Sequence, residues 1–312
     1  GWEVTVDYNH NFDNGLRLYA VANISDYKTV VTKWETDNPL LNVNYSGKVY
    51  GDIYGFETER YFTWDDFNAD GSYKQGVASQ KGLNQGAFVF GPGDIKFKDQ
   101  NGDGVIDSGK GTIDDHGDLI VLGNTTPRYQ YSLRVGGEWK GFDLDLFFQG
   151  VGKRDYWSTS AFVVPFSRGA DAIYSGQNSY VTEDEYENKK IDQSKTYPRM
   201  FAGNSGQGTI SSNIISGGNH NFYPQTKYLL NLAYLRLKTV TLGYSLPENI
   251  IGKAKIQKAR FYVSIYNALD IINHTKKYGI DPEMMGLNGN AETFGRQEPY
   301  ARTVSCGLQV TF

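Results

Sequence analysis

Cysteine occurs once in the 312 residues, as Cys306, so no internal disulfide can staple the chain. Basic residues are not in excess: 31 Lys and Arg stand against 35 Asp and Glu, for a net charge of −4. That balance excludes a nucleic-acid binder of the basic-patch kind. It also excludes a disordered acidic tail. No run of 18 apolar residues occurs, which excludes a transmembrane helix. Histidines are few and widely spaced, at His10, His116, His220 and His274. G-x-S-x-G, H-E-x-x-H and Walker-type loops are all missing, so the chain is not expected to be an enzyme. The acid pairs Asp65-Asp66 and Asp114-Asp115 could serve as glycosidase carboxylates, but are expected to be solvated loop acids.

What is present points to strands. Aromatics make up 14% of the chain, with 23 Tyr and 17 Phe, and there are 36 Gly. Aromatics suit pleated surfaces, and glycine suits turns and bulges, so the composition predicts an all-β protein. The mean hydropathy of −0.50 is compatible with a membrane β-barrel, whose strands alternate lipid-facing and lumen-facing residues. Residues 2–9 alternate strictly, with Trp2, Val4, Val6 and Tyr8 on one face. Because this alternation begins at once, with no secretory leader, the chain is expected to be part of a longer protein. After Asp13-Asn14-Gly15, a second alternating run from Leu16 to Ile24 completes a hairpin. Residues 128–151 repeat the device around Lys140-Gly141, with Phe142, Leu144, Leu146 and Phe148 opposite in facing to Asp143, Asp145 and Gln149. Further long strands are predicted over 234–246, 260–269 and 301–312, with a short helical turn opened by Pro247.

Seven long strands result, and their connections alternate in length. Links 10–15, 140–141 and 247–259 are short; links 26–127, 152–226 and 270–300 are long. Tight turns at one end and long loops at the other mark an up-and-down outer-membrane barrel. Strand-like residues 47–62 are therefore placed inside the first long loop. Seven strands do not close a barrel of this class, and an open lipid-facing sheet would leave two edges unsatisfied. The fold expected for residues 1–312 is the C-terminal set of about seven strands of a large antiparallel transmembrane β-barrel with long extracellular loops.

Two features of the loops carry chemistry, and a third, a capping box, carries none. Asp99, Asn101, Asp103, Val105 and Asp107 match the opening of a calcium loop, with Val105 offering its carbonyl and Gly104 the sharp turn. Lys110 stands where the bidentate acid belongs, and Asp114, Asp115 or Asp118 would have to replace it. The competing reading is a loop of Asx turns that holds no metal. Aromatics are dense in the loops (Tyr61, Phe62, Trp64, Phe67, Tyr156, Trp157, Phe162, Phe166, Tyr174). Trp64, Tyr156 and Trp157 are candidate substrate contacts; loop self-packing or an interfacial girdle is the alternative for each. Thr182 to Glu185 form a capping box that opens a short helix.

The stretch Gly93-Asp-Ile-Lys-Phe-Lys-Asp-Gln-Asn-Gly-Asp-Gly-Val-Ile-Asp107 resembles a signature of SusC-like (SusC/RagA) TonB-dependent outer-membrane transporters. So do Leu122-Gly-Asn-Thr-Thr-Pro127-Arg-Tyr, the run from Glu138 to Gly150, Tyr234 to Pro247, Tyr278-Gly-Ile-Asp-Pro-Glu283 and the terminal aromatic Phe312. Thr125, where the family more often has Pro, and the inserted Gly109–Gly117 depart from the pattern.

The resemblance implies a 22-stranded barrel whose plug and TonB-interacting segment lie upstream of this chain. It implies a SusD-like surface lipoprotein as partner, and import of oligosaccharides or peptides across the Gram-negative outer membrane. The rival reading is a soluble, calcium-stabilised β-sandwich that binds glycans. Strands of about ten residues and the loop parity favour the barrel.

Overall fold

The computed structural model describes residues 1–84, 88–158, 163, 179–199, 221–252, 255–283 and 300–312. Strands β1 (Trp2–Asn11) and β2 (Arg17–Asp26) form the first hairpin. Four short strands follow inside the first long connection: β3 (Asp52–Gly55), β4 (Thr58–Tyr61), β5 (Ile95–Phe97) and β6 (Ile120–Asn124). β3 pairs with β6 and β4 with β5, both antiparallel. The strand-like stretch 47–62 is thus part of the loop and not a membrane-spanning strand.

β7 (Arg128–Trp139) and β8 (Phe142–Lys153) form the second hairpin. Lys140 and Gly141 both have positive φ, 49° and 87°, the backbone of a tight two-residue turn that matches strand twist. Two-residue strands β9 (Asp155–Tyr156) and β10 (Leu230–Asn231) pair at the mouth of the second long connection. Helix α1 (Glu183–Glu187) lies within it, and its Thr182–Glu185 capping box forms as expected. β11 (Tyr234–Ser245) leads through α2 (Glu248–Ile251), entered from Pro247, to β12 (Lys258–Asn273) and finally β13 (Thr303–Thr311).

Seven of these strands make one antiparallel sheet in the order β1-β2-β7-β8-β11-β12-β13. Each neighbour is the next long strand in sequence, the meander of an up-and-down barrel wall. The register sorts side chains by face. Tyr8, Ala20, Val135, Leu146, Val240, Ile265 and Val304 stand opposite one another across all seven strands. Leu18, Gly137, Leu144, Leu242, Val263 and Cys306 make the next apolar row. Phe142, Leu144, Val304 and Leu308 are exposed on this face. An uncovered apolar face of seven strands is suited to lipid.

The opposite face is polar and internally paired. Arg134 Nε donates to Asp145 at 2.8 Å, and the Tyr19 hydroxyl donates to the same carboxylate at 2.6 Å. Arg260 Nε donates to Asp143 at 2.8 Å, and Arg17 meets Glu138 at 3.4 Å. Tyr19 lies over Gly136, where a Cβ would strike its ring. These residues tie β2, β7, β8 and β12 together on the lumenal side.

The buried core is not at the sheet. It comprises Phe56, Tyr61, Phe62, Phe67, Ile95, Phe97, Ile106, Tyr197, Phe222, Tyr228 and their neighbours. Nearly all come from the long connections after β2 and β8. Asp26, at the end of β2, is ion-paired with Arg128, at the start of β7, and so closes the base of the first loop.

Candidate functional site in the outer loops

The first two long loops are stitched into one body. Phe56 N donates to the Pro224 carbonyl at 2.8 Å, and Thr226 N returns a bond to the Phe56 carbonyl at 3.2 Å. Gly55 permits this approach, because a Cβ there would strike the Pro224 carbonyl. Tyr61 N donates to Gln193 Oε1 at 2.8 Å, and the Tyr61 hydroxyl reaches the Lys195 carbonyl at 3.0 Å. Buried amides complete the junction. Gln80 accepts from Phe97 N and donates to the Ile95 carbonyl, serving β5 as a substitute strand partner. Asn221 accepts from Ile95 N at 2.8 Å and donates to Asp94 at 2.8 Å.

The acid pair 65-66 departs from its expected place in solvent. Asp66 is buried and holds Arg60 by two bonds of 2.6 and 2.7 Å. It also accepts from Thr63 N, which caps the 3-10 turn Trp64–Asp66. Burial lifts the Asp66 carboxyl, but the Arg60 and Thr63 bonds outweigh it and hold the group below its ordinary value. The sequence lacks periodicity here, and only the fold brings Arg60 over Asp66.

The candidate aromatics separate. Trp64 is half-buried and packs on Tyr186 of α1, with ring centres 4.5 Å apart. The Arg199 guanidinium lies 3.6 Å over the other partner in that stack, Tyr186. Tyr156 and Trp157 instead pack, half-buried, against the loop core. Tyr61, Phe62 and Phe67 are core residues outright. Phe162, Phe166 and Tyr174 lie outside the described residues.

The 99–107 loop is a chain of side-chain-to-backbone bonds. Asp99 accepts from Gly102 N at 2.6 Å and Gly104 N at 2.9 Å. Asn101 accepts from Asp103 N, Asp103 from Val105 N, and Asp107 from Gly109 N. Of the three acids that could loop back, Asp118 does: it is buried and accepts from Gln100 N at 2.7 Å and Asp107 N at 2.9 Å. Asp115 instead meets Lys110 at 3.6 Å. The donors are all oxygen, the chemistry calcium takes. Among the described residues, however, no three His, Cys, Asp or Glu side chains converge as a metal-holding group. Beside this loop runs a polar cleft of about 640 Å³, lined by Glu59, Lys74, Lys81, Lys96, Phe97 and Asp99 among others. Its size falls in the range of ligand sites.

Sequence reading missed Gln80, Asp94, Asn221 and Gln225. Asp94 is legible only as part of the 93–107 signature, and no motif marks the other three; Gln80 and Asn221 satisfy backbone groups of β5, while Gln225 accepts from the Thr58 hydroxyl and donates to the Asn221 and Tyr223 carbonyls.

A one-sided apolar sheet with polar inner face and folded outer loops is the architecture of a membrane β-barrel wall. No family model matches the sequence. The chain is 24% identical over 273 residues to TonB-dependent receptor P3 of Formosa agariphila, covering 85% of this chain and 22% of that protein. TonB-dependent receptor P26 of the same organism is 26% identical over 226 residues, covering 70% of this chain and 20% of the relative. The structure of the RagAB peptide transporter superposes with a TM-score of 0.59 at 17% identity, covering 99% of this chain and 29% of that one. The RagAB peptide importer in its open-open state gives the same TM-score at 19% identity, over 99% and 28% of the two chains. This chain therefore spans about a fifth of the length of the curated relatives it matches. The likeness to TonB-dependent receptors read from the sequence is met in both curated relatives, and the RagAB structures share the fold. The fold is that of an outer-membrane β-barrel, and its matches are receptors and transporters, not enzymes.

Proposed function

We propose that this chain forms part of the wall and the outer loops of a TonB-dependent importer of oligosaccharides or peptides. It performs no chemistry on its cargo. It works with a SusD-like surface lipoprotein, and energy reaches it through the TonB complex by way of other parts of the protein. The observation that carries this reading is the division of the molecule. A seven-stranded sheet turns an apolar face outward and ion pairs inward, while the large loops fold on their own core. The pairing of chains named in RagAB, a peptide importer, supports a partner and a polar oligomeric cargo.

Cargo would meet the loops first. Trp64, Tyr156 and Trp157 are the proposed contacts, and Trp64 is the best placed because it is not part of the loop core. An aromatic contact of this kind contributes about 0.5–1.5 kcal/mol beyond area burial. In cells carrying the full-length protein, Trp64→Ala should reduce uptake of fluorescent oligomers roughly 2- to 10-fold with unchanged outer-membrane levels. Unchanged uptake of both peptide and glycan probes would remove Trp64 from the site.

Calcium remains a proposal for Asp99, Asn101, Asp103, the Val105 carbonyl and Asp107. If the ion binds there, protease nicking within 93–118 should rise with chelator and fall again on adding Ca²⁺. Identical cleavage under both conditions would assign the loop to Asx turns alone.

A further inference from the structure

The junction of the two large loops contains a carboxylate with no cation in contact among the described residues. Asp94 has no exposed surface, and the groups that act on it are Asn221, Gly91 and, at a distance, Arg199. One oxygen accepts from Asn221 Nδ2 at 2.8 Å, and the other accepts from Gly91 N at 2.9 Å. Its own backbone is equally committed: the Asp94 carbonyl accepts from Phe62 N at 2.8 Å. Arg199 N donates to the neighbouring Gly93 carbonyl at 3.1 Å. Phe62 from the first loop and Arg199 and Asn221 from the second therefore close on the 91–94 segment.

The charged and titratable groups that act on Asp94 from these segments are few. Arg199 favours the carboxylate at a distance, and the buried Tyr73 phenol lies on the first-loop side. Two neutral donors and one distant cation do not offset full burial of a charge.

We propose that Asp94 is a proton-controlled clasp between the first and second outer loops. With the carboxyl protonated the junction is locked, and loss of that proton to water loosens it. Burial pushes the group up to about 7, against the opposing Asn221 and Gly91 bonds and Arg199. A carboxyl raised on folding stabilises the closed junction fully below its ordinary value, and that contribution fades as pH climbs through 7. Acid therefore tightens the two loops, and neutral or alkaline medium frees them to move separately. This inference does not depend on which cargo is carried.

The test is amide hydrogen exchange on the full-length protein in detergent, at pH 5 to 8.5, with rates corrected for intrinsic chemistry. Amides of 94–97 and 222–228 should lose protection as pH rises, by up to about tenfold per pH unit, levelling off above 7. Asp94→Asn should abolish the slope and stay protected throughout. Arg199→Gln should move the levelling point to higher pH. Wild-type protection that does not vary with pH, or an Asp94→Asn variant that keeps the slope, overturns the proposal. Should Asp94→Asn misfold, infrared spectra of the wild type decide the question: the proposal needs a protonated buried carboxyl band at pH 5.5 that vanishes by pH 8.5, and its absence at pH 5.5 overturns it.

Discussion

Asp66 shows how much of this molecule is settled one side chain at a time. An acid beside another acid in a polar stretch reads as solvated. Here the second acid turns inward, caps its own 3-10 turn and takes Arg60 in a two-bond fork. Removing it leaves the half-buried Arg60 guanidinium with only the Tyr61 carbonyl and Glu59, a loss of about 1–3 kcal/mol for the local structure. Asp66→Ala should therefore speed proteolytic cleavage between residues 58 and 67, read by mass spectrometry of the detergent-solubilised protein, while the sheet stays intact. The pH sign is opposite to that of Asp94. A carboxyl held below its ordinary value stabilises above that value and loses the contribution as pH falls through its lowered one. The same cleavage should thus appear in the wild type in strong acid, below about pH 4.

At the scale of elements, the β7–β8 hairpin shows why alternation could be read and why it matters. Its turn needs two residues with positive φ, and Gly141 supplies one without strain. Its register then sends Leu144 to the lipid face and Asp145 to the lumen, where Tyr19 and Arg134 bind it. A charge at the lipid midplane costs about 2–4 kcal/mol. Leu144→Arg should reduce the folded, heat-modifiable form in outer-membrane fractions. Asp145→Asn, which keeps an acceptor for Tyr19, should leave that form at wild-type level. Equal losses in both variants would overturn this assignment of the faces.

For the whole molecule, the decisive facts are the two open edges of the sheet and the place of the core. β1 and β13 each have only one neighbour in the described sheet. Unpaired strand edges are tolerated in neither water nor lipid without further partners, and an apolar face is not tolerated in water. The 312-residue chain expressed alone in buffer should aggregate. A monodisperse folded species without detergent, by light scattering and circular dichroism, would favour the soluble sandwich instead. The loops, by contrast, carry their own buried core, so the surface they would present to the proposed lipoprotein is a folded one. A stable partner should cover more than about 1,000 Å² of it.

The sequence by itself determined the strands, their order of facing and the parity of the connections. Period-two alternation over ten or more residues is a local signal, and a meander needs only local pairings to assemble it. It also determined the capping box at Thr182 and the helical turn after Pro247, which depend on residues three or four apart. Only the tertiary structure decided what the loop aromatics do. Tyr61, Phe62 and Phe67 could be read only as loop rings; the fold packs Phe62 against Phe67, Tyr73 and Phe90, and ties Tyr61 to Gln193 and Lys195, more than 130 residues on. It alone decided that Asp118 returns to the 99–107 loop, and that Asn221 reaches Asp94 across 127 positions of sequence. Contacts of that separation leave no periodicity behind: each is one polar group satisfying another where water has been excluded.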